Sequence, residues 1–499
     1  MSISLLLEMA ASANPVRTAV VADELRLTVT ELATVVAGGA GVISKSGAQH
    51  VVYVGTGGAH LPFLLFASAQ AGIPFTPLNY RLSAEGINSL ITRLPDPLVV
   101  VDHEYRDMVD VPEGRTLDAE ELLDRAHTAE PFTTFVDPDD LAVVLFTSGT
   151  TSRPKAVQLS HSNLTSYVMQ TVEFDSAATE DAVLVAVPPY HIAGVGAALS
   201  NIYSGRKMVY LRRFDPKEWI RLVQQEGVTT ATVVPTMLDR IITTLEQSHT
   251  ELPTLRNLAY GGAKVGLPLV RKALSLLPAV GFVNAYGLTE TSSTIAVLTP
   301  DDHRAALVST DPAVNARLAS VGQPVPGIEL EIRTADGEVA APGEPGELFV
   351  RGEQVSGKYD EIGSVLDDKG WFPTKDIATL DADGYLFITG RSDDTIIRGG
   401  ENIAPAELED VLVEHPHVHQ VVVIGVEDPQ WGQSIVAIVV PEPGTEPDGE
   451  ELRAFTRKAL RGSRTPDRVV FRDALPTTAT GKILRRKLVQ ELSPVTGMA

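Results

Sequence analysis

Short runs of β-branched residues alternate with apolar segments of helical spacing between about residue 50 and residue 285. Residues 51–55 (VVYVG) are typical of a buried strand, residues 60–71 are apolar at helical spacing, and residues 73–78 return as a strand. The same alternation predicts further strands at 141–146, 182–187, 207–211, 229–234, 257–260 and 281–285. Such a pattern is typical of βα units that form parallel sheets, so we predict an α/β fold.

The pattern changes near residue 320. Residues 321–352 are rich in glycine and proline and contain alternating strands (IELEIR, GELFVR), which predicts a small antiparallel β-barrel over about 321–390. A compact α+β unit follows, with strands at 421–425 and 435–440 and a helix from 449 to about 460. Because 499 residues are too many for one ordinary domain, we predict a large N-terminal domain (1–392, two α/β subdomains and the barrel) and a C-terminal domain (393–499).

Composition excludes several classes of protein. The 41 Lys and Arg residues against 64 Asp and Glu give a net charge of −23, which argues against general binding to nucleic acid or anionic membranes. The chain contains no cysteine, so disulfides, thiolate metal sites and cysteine nucleophiles are excluded. The first residues (MSISLLLEMAAS) have no basic start and are interrupted by Glu8, which predicts a first helix rather than a signal peptide. No apolar run reaches the roughly 18 residues of a membrane span, and we predict a cytoplasmic protein.

A loop rich in hydroxyl groups follows the predicted strand at 141–146. Residues 145–157 read LFTSGTTSRPKAV. Four hydroxyl residues surround Gly149, with Lys155 nearby: Thr147, Ser148, Thr150 and Thr151. Backbone amides in such a turn form a nest of donors suited to a polyphosphate, with a cation to balance its charge. The loop is not a Walker A motif. Taken alone, it could equally be a polar surface loop.

This loop resembles the signature of the adenylate-forming superfamily, which includes acyl-CoA synthetases, peptide-synthetase adenylation domains and firefly-type luciferases. Five further segments resemble motifs of that family, in family order: residues 284–290 (NAYGLTE), 370–376 (GWFPTKD), 385–391 (YLFITGR), 398–403 (RGGENI) with Glu407, and 476–485 (PTTATGKILR). The resemblance covers essentially the whole chain and is strongest to the acyl-CoA synthetase branch. It implies a small C-terminal domain that rotates against the large domain between two half-reactions.

The resemblance implies roles for residues around a bound MgATP. Tyr286 would stack on adenine, Thr289 would contact the α-phosphate, and Glu290 would hold Mg²⁺, a hard cation that prefers oxygen ligands. Asp376 would accept the ribose hydroxyls, and Arg391 would contact ribose or phosphate. The other nucleotide-binding positions implied are Gly261, Gly262, Ala263, Asn284, Ala285 and Gly287.

The resemblance also implies residues for the two chemical steps. Lys482 would bridge the substrate carboxylate and the α-phosphate, although its basic surroundings (Arg485, Arg486, Lys487) could equally belong to a solvated tail. Asp393 would be the hinge, and after rotation Arg398, Gly399 and Gly400 would help to form the CoA channel. His191 would gate the path of the thiol, although from the residues alone it could equally be a core histidine with satisfied hydrogen bonds. The implied acyl pocket contains His191, Ile192, Ala193, Val234, Gly262 and Ala285.

The sequence therefore predicts a ligase that converts a carboxylic acid and MgATP into acyl-AMP and then into acyl-CoA. No basic residue stands before Tyr286 to hold a second carboxylate, which favours a fatty, aryl or alicyclic monocarboxylic acid. Transfer to the pantetheine of a carrier protein remains an alternative, although the chain is short for ligases with an extra insertion. A luciferase-like oxygenase is less favoured. A non-catalytic relative that binds nucleotide or acyl groups is a further alternative, and a homodimer remains open.

Five residues, at four places in the chain, depart from the family pattern. Ser152 and Ala156 replace glycines in and after the phosphate loop, Lys375 replaces the glycine before Asp376, and Ser463 with Arg464 replaces a Tyr–Lys pair. Three of these changes add bulk where the family is small, and the last removes an aromatic group. We expect a less mobile loop or one weakened half-reaction.

Overall fold

The computed structural model describes residues 1–112, 114–147, 154–460, 462–478 and 482–493. The α-helices in these ranges are α1 (Ser4–Ala13), α2 (Val29–Lys45), α3 (His60–Ala71), α4 (Ala84–Ile91), α5 (Ala119–Ala126), α6 (His161–Thr171), α7 (Ile192–Ser204), α8 (Pro216–Glu226), α9 (Pro235–Ser248), α10 (Leu267–Leu276), α11 (Pro300–Val308), α12 (Pro312–Ala316), α13 (Pro405–Leu412), α14 (Gly449–Ala459) and α15 (Arg485–Leu492).

The strands are β1 (Thr18–Ala22), β2 (Leu25–Thr28), β3 (His50–Val54), β4 (Phe75–Leu78), β5 (Pro97–Val101), β6 (Thr116–Asp118), β7 (Leu141–Thr147), β8 (Lys155–Ser160), β9 (Ala182–Val185), β10 (Lys207–Tyr210), β11 (Thr230–Val233), β12 (Asn257–Gly261), β13 (Gly281–Leu288), β14 (Ser293–Leu298), β15 (Gln323–Pro324), β16 (Glu329–Arg333), β17 (Gly346–Arg351), β18 (Lys358–Tyr359), β19 (Gly363–Ser364), β20 (Phe372–Leu380), β21 (Leu386–Arg391), β22 (Ile396–Arg398), β23 (Glu401–Ile403), β24 (Val418–Asp428), β25 (Gly432–Pro441) and β26 (Arg468–Phe471). Each strand whose residue range the alternating pattern predicts overlaps one of these strands.

Two large sheets dominate the N-terminal part. One has nine strands in the order β15-β14-β13-β12-β11-β9-β10-β1-β2, and the other has eight in the order β19-β18-β8-β7-β4-β3-β5-β6. The central strands of both are parallel, as the βα pattern predicts. The mixed α/β fold is therefore confirmed.

Helices α1, α2, α3 and α7 lie between the two large sheets. Their buried side chains share one hydrophobic core with residues of both sheets. Helix α3 shows why: all but one of its twelve residues are buried, including Phe63, Leu64 and Phe66, so it is apolar on every face. Helices α8, α9 and α10 cover the outer face of the nine-stranded sheet, and α4 covers that of the eight-stranded sheet.

The predicted β-barrel takes a different form. Strands β16, β17, β20 and β21 form an antiparallel sheet in that order, as the alternating pattern predicts. Within the described ranges, the edge strands β16 and β21 do not pair, so the sheet is open. The remaining short strands of the segment join the large sheets instead: β15 pairs with β14, and β18 pairs with β8.

The C-terminal part has its own cores around the sheet β24-β25-β26, flanked by α13, α14 and α15. Residues 392–394 form a short 3-10 turn that connects it to β21, and the first two of them are exposed. The division at Asp393 stays a prediction. Among the helices that the structure describes, none is both long enough and apolar enough to cross a membrane.

Candidate active site

The candidate site lies where four neighbouring parallel strands end. Strands β9, β11, β12 and β13 are adjacent in the nine-stranded sheet, and the segments that follow them contain predicted site residues. The strands come very close there: a Cβ on Gly261 would lie 2.1 Å from the carbonyl oxygen of Ala285. Gly262 has φ of +81° and lies beside Val234. Crevices at the carboxyl ends of parallel strands are common ligand sites in α/β sheets.

Three predicted nucleotide-binding residues contact one another in the cleft. The Tyr286 hydroxyl donates to Asp376, and the Arg391 guanidinium lies 3.1 Å from the other oxygen of the same carboxylate. The amide of Asp376 donates to the Thr374 hydroxyl. Asp376 is only 5% exposed, and burial raises its pKa while the charge of Arg391 opposes that rise. Arg391 thus keeps a buried carboxylate paired at the position predicted to accept the ribose hydroxyls.

Glu290 lies in the 3-10 turn Thr289–Thr291, directly after β13. One of its carboxylate oxygens accepts a 2.8 Å hydrogen bond from the hydroxyl of Tyr359 on β18. The ammonium of Lys155 lies 5.2 Å from the centre of the Tyr359 ring. Tyr359 therefore links the predicted metal ligand to the lysine of the hydroxyl-rich loop. The sequence analysis missed Tyr359, and no motif marks it.

The hydroxyl-rich loop is described only at its two ends. Thr147, the last residue of β7, is paired with Lys155, the first residue of β8. Ser148, Gly149, Thr150, Thr151 and Ser152 lie outside the described residues, so their predicted contacts with phosphate stay predictions. Ala156 is buried in β8, and its amide donates to the carboxylate of Glu361.

Lys482 belongs to the same cluster of charges, although it is distant in sequence. Its ammonium interacts electrostatically with Arg391 and with three carboxylates, those of Asp394, Asp376 and Glu290. Much of the Lys482 surface is exposed, yet neighbouring protein atoms shield its ammonium from bulk water. That desolvation and the charge of Arg391 lower the pKa of Lys482, and the carboxylates oppose the change. The tail lysine is thus close to the predicted nucleotide residues rather than on a separate surface.

His191 is the N-cap of α7. Its Nδ1 accepts a 3.3 Å hydrogen bond from the Ala193 amide, which leaves the proton of the neutral ring on Nε2. Burial, with the charge of Lys482, lowers the pKa of His191 to about 4. The imidazole is therefore neutral at pH 7.

The predicted acyl-pocket residues surround the start of α7 and the ends of β11 to β13. Ile192 is 4% exposed and packs into the core beneath the helix, whereas Ala193 is only half-buried. Ala197 and Ser200 are also half-buried and share the face of Ala193 at helical spacing. On that face, a Cβ on Gly196 would lie 3.4 Å from the ring of Tyr167. The helix thus presents small side chains along one partly open face.

The remaining predicted residues lie on β13, after β12, at the end of the large domain and in the C-terminal part. Among the nucleotide-binding positions, Asn284 donates to the Ser320 carbonyl, while Gly287 lies on β13 and Ala263 follows β12. Gly399 and Gly400 form the turn between β22 and β23, and Arg398 pairs with Asp467 at 2.7 Å.

Lys375 adopts φ of +64°, a left-handed conformation that glycine adopts without strain. Arg464 forms an ion pair with Glu407, and the side chain of Ser463 lies outside the described residues.

Comparison with known proteins gives matches over nearly the whole chain. The model of the AMP-binding enzyme family matches residues 7–360, and that of the AMP-binding enzyme C-terminal domain matches residues 407–482. A feruloyl-CoA synthase of an Amycolatopsis species is 35% identical over 481 residues, covering 95% of each chain. A fatty acid–[acyl-carrier-protein] ligase of Streptomyces coeruleorubidus is 31% identical over 88% of this chain and 86% of that protein.

The fold is also shared with solved structures. The O-succinylbenzoate coenzyme A synthetase of Bacillus subtilis, in complex with ATP and a magnesium ion, superposes with a TM-score of 0.82. It is 28% identical in sequence, and the match covers 97% of this chain and 98% of that one. The large N-terminal and small C-terminal domains predicted for the fold are confirmed by this likeness.

Proposed function

Because the chain belongs to the AMP-binding enzyme family, as an AMP-forming acid–thiol ligase, we propose that this cleft activates a hydrophobic monocarboxylic acid for transfer to CoA. Arylpropenoic acids such as ferulate are the first candidates. The observation that carries the proposal is the convergence of Lys482, Asp376, Arg391 and Glu290 on one cleft. The feruloyl-CoA synthase similarity and the small, partly open face of α7 support the choice of acid.

The first step joins two anions, so it needs alignment and charge neutralisation. A carboxylate oxygen of the acid attacks the α-phosphorus of ATP, and the bond to pyrophosphate breaks. The ammonium of Lys482 would lie beside the α-phosphate and the incoming carboxylate. Asp376 and Tyr286 would hold the ribose and adenine, with Arg391 paired to Asp376.

Mg²⁺ fits the chemistry of Glu290, whose carboxylate supplies hard oxygen ligands. Within the described ranges, no group of three or more metal-ligating side chains is present. A single carboxylate together with phosphate oxygens and water is a common way for proteins to hold Mg²⁺. When bound, the ion would neutralise charge on the departing pyrophosphate. The hydrogen bond from Tyr359 would orient Glu290 for that task.

The second step breaks the acyl–phosphate bond with a thiol, and AMP leaves. His191 is too weakly basic in the present arrangement to remove the thiol proton, because its pKa is about 4. We assign it the role of a gate with an Nε2 hydrogen-bond donor. Rotation of the C-terminal domain about Asp393 would withdraw Lys482 and bring the turn at Gly399 and Gly400 towards the site.

A carrier-protein pantetheine is the second candidate acceptor, because the chain is similar to a fatty acid–[acyl-carrier-protein] ligase. Free CoA is favoured by the greater similarity to a CoA synthase over more of the chain. The cytoplasmic location and the homodimer stay predictions. The alternative of a relative without catalysis is set aside, because the chain is an enzyme of this family.

The test is a panel of acids assayed for AMP release with MgATP, in the presence of either free CoA or a holo acyl carrier protein. The panel contains ferulate, benzoate, indole-3-acetate, octanoate, palmitate and malonate. We expect ferulate or another aryl acid to react fastest with CoA, and malonate to be inactive. AMP release with malonate alone, or the absence of AMP release with every acid of the panel, would contradict the proposed substrate class.

A further inference from the structure

Two ion pairs join the C-terminal domain to the large domain on one side of the cleft. The ammonium of Lys264, in the loop after β12, lies 2.7 Å from the carboxylate of Asp410 on α13. His419 on β24 lies 3.5 Å from Asp239 on α9. Both pairs cross from one domain to the other, and both involve the start of the C-terminal domain's core.

His419 lies between two carboxylates. Its Nε2 faces Asp239 of the large domain, and its Nδ1 lies 3.4 Å from Glu442 at the end of β25. A neutral imidazole carries one ring proton and can donate to only one of them, whereas the imidazolium donates to both. Other acidic groups on the neighbouring α13 are engaged elsewhere, Asp410 with Lys264 and Glu409 with Arg485. The geometry therefore favours the protonated form of His419.

These contacts occur in the arrangement that brings Lys482 to the cleft. Asp410 and His419 belong to the same domain as Lys482, whereas Lys264 and Asp239 belong to the large domain. A rotation that withdraws Lys482 would therefore also separate Lys264 from Asp410 and His419 from Asp239. Near these pairs, a Cβ on Gly266 would lie 3.4 Å from a methyl group of Val413 after α13. The two domains therefore come close together there as well.

We propose that Lys264, Asp410, Asp239 and His419 are positioning residues that hold the C-terminal domain in the arrangement for adenylation. The inference rests on the proposed two-step function. The four residues act on the first half-reaction through Lys482 and touch neither nucleotide nor acid. Breaking either pair lowers the rate of adenylation and leaves the transfer of a preformed acyl group to the thiol unchanged or faster.

Reversal of one charge tests the proposal with activity as the readout. The acid that reacts fastest in the panel is used, with ATP–pyrophosphate exchange for the first half-reaction and thiolysis of its supplied acyl-AMP for the second. An exposed ion pair contributes little by itself, but reversal of one charge also places two like charges side by side. We therefore expect K264E or D410K to lower the ratio of exchange to thiolysis by about three- to tenfold. The double variant K264E/D410K restores the pair and should return the ratio to within about twofold of the wild type.

The matched control is a second lysine–glutamate pair that stays within the large domain. Lys272 on α10 lies 2.8 Å from Glu246 on α9, and both side chains are about as exposed as Lys264 and Asp410. K272E should leave the ratio of the two half-reactions unchanged. An equal loss of both half-reactions in K264E, a failure of the double variant to restore the ratio, or the same change in K272E would overturn the proposal.

A cross-linking experiment tests the positioning role without reference to any acid. The natural chain has no cysteine, so G266C/V413C introduces a single pair, at two positions that face each other: a Cβ on Gly266 would lie 3.4 Å from a methyl group of Val413. We expect oxidation to close this pair readily, K264E to slow its closure about three- to tenfold, and K264E/D410K to restore it. Equal rates in all three backgrounds would refute the positioning role. Because no acid takes part, that result is distinguishable from failure of the proposed function.

The histidine pair adds a dependence on pH. The neighbouring carboxylates raise the pKa of His419, chiefly through Asp239, so the charged pair is complete at low pH and is lost as pH rises through that pKa. Ionisation of the CoA thiol lowers the ratio of exchange to thiolysis with rising pH in every variant. Between pH 6 and pH 9 the ratio should fall more steeply in the wild type than in H419Q and in D239N. Parallel pH profiles in the wild type and in both variants would contradict the role of His419.

Discussion

Removal of the Lys482 ammonium is the most direct test of the site. Its surroundings contain three carboxylates and one guanidinium, those of Glu290, Asp376, Asp394 and Arg391. A nucleotide in this cleft would add the negative charge of its phosphates, and Lys482 would be the mobile cation that balances it. In K482A that cation is absent, while the groups predicted to bind the nucleotide remain.

The size of the effect follows from the charges. Two unit charges about 4 Å apart interact by about 4 kcal/mol at an effective dielectric constant of about 20. If this interaction is made only in the transition state, its loss slows the reaction by about 10³-fold. Loss of a single stabilising donor in other active sites costs about 10²- to 10³-fold. We therefore expect K482A to lower ATP–pyrophosphate exchange by about 10²- to 10³-fold.

The assay compares the two half-reactions in the same preparation. Thiolysis of supplied acyl-AMP should change less than about threefold in K482A, since Lys482 is withdrawn from the cleft in that step. The control is K487A, which removes an exposed lysine from α15 in the same basic segment. An equal loss of both half-reactions, or a comparable loss in K487A, would show that the tail acts as a general basic surface.

Three further predictions concern stability and binding. D376N should raise the KM for ATP about 10- to 100-fold, because a charged hydrogen-bond acceptor is lost. Its melting temperature should not fall, because burial raises the pKa of Asp376 and the ionised form therefore lowers stability above that pKa. K375G should leave the free energy of unfolding unchanged or raise it by up to about 1 kcal/mol, as relief at φ of +64° is offset by the entropy of glycine, and denaturant melts measure it. Burial lowers the pKa of His50 and of His161 to about 4, so the unfolded state binds more protons than the folded state between pH 6.5 and pH 4. As pH falls across that range, the free energy of unfolding from denaturant melts should fall by up to about 3 kcal/mol for each histidine, and H50Q should show a shallower fall.

The strands near the site were predictable because their residue types indicate that they are buried. Residues 182–185 and 230–233, for example, are apolar or β-branched, and most are buried in the parallel sheet. The order of motifs along the chain then indicated that Glu290 follows one strand and that Asp376 lies in another. Local pattern and family resemblance were sufficient there, because each residue follows directly from the strand or loop that carries it.

Tyr359 shows what the sequence did not reveal. It lies 69 residues from Glu290, on a two-residue strand that joins the edge of the eight-stranded sheet rather than the barrel predicted for its segment. Hydrophobic periodicity reports whether a residue is buried, but not which distant strand it will pair with. The open sheet has the same explanation, because β15 and β18 were available to the edges of the larger sheets.

The ion pairs between the domains were beyond the sequence for a further reason. Lys264 and Asp410 are exposed charges in ordinary surroundings, and 146 residues separate them. Their pairing depends on how two separately folded units are arranged, and charge patterning within either unit carries no information about that arrangement.

The same arrangement couples Lys482 to His191. Burial is the main cause of the low pKa of His191, and the positive charge of Lys482 lowers it further. In K482A the second cause is absent, so the pKa of His191 should rise above about 4 while remaining below the ordinary value of about 6.5, because burial persists. NMR titration of protein with isotope-labelled histidine, with H191Q to assign the signal, measures this change in the pKa of His191. An unchanged pKa would mean that the ammonium is farther from the cleft in solution. A rise would mean that withdrawal of Lys482 also makes His191 more basic when the thiol arrives.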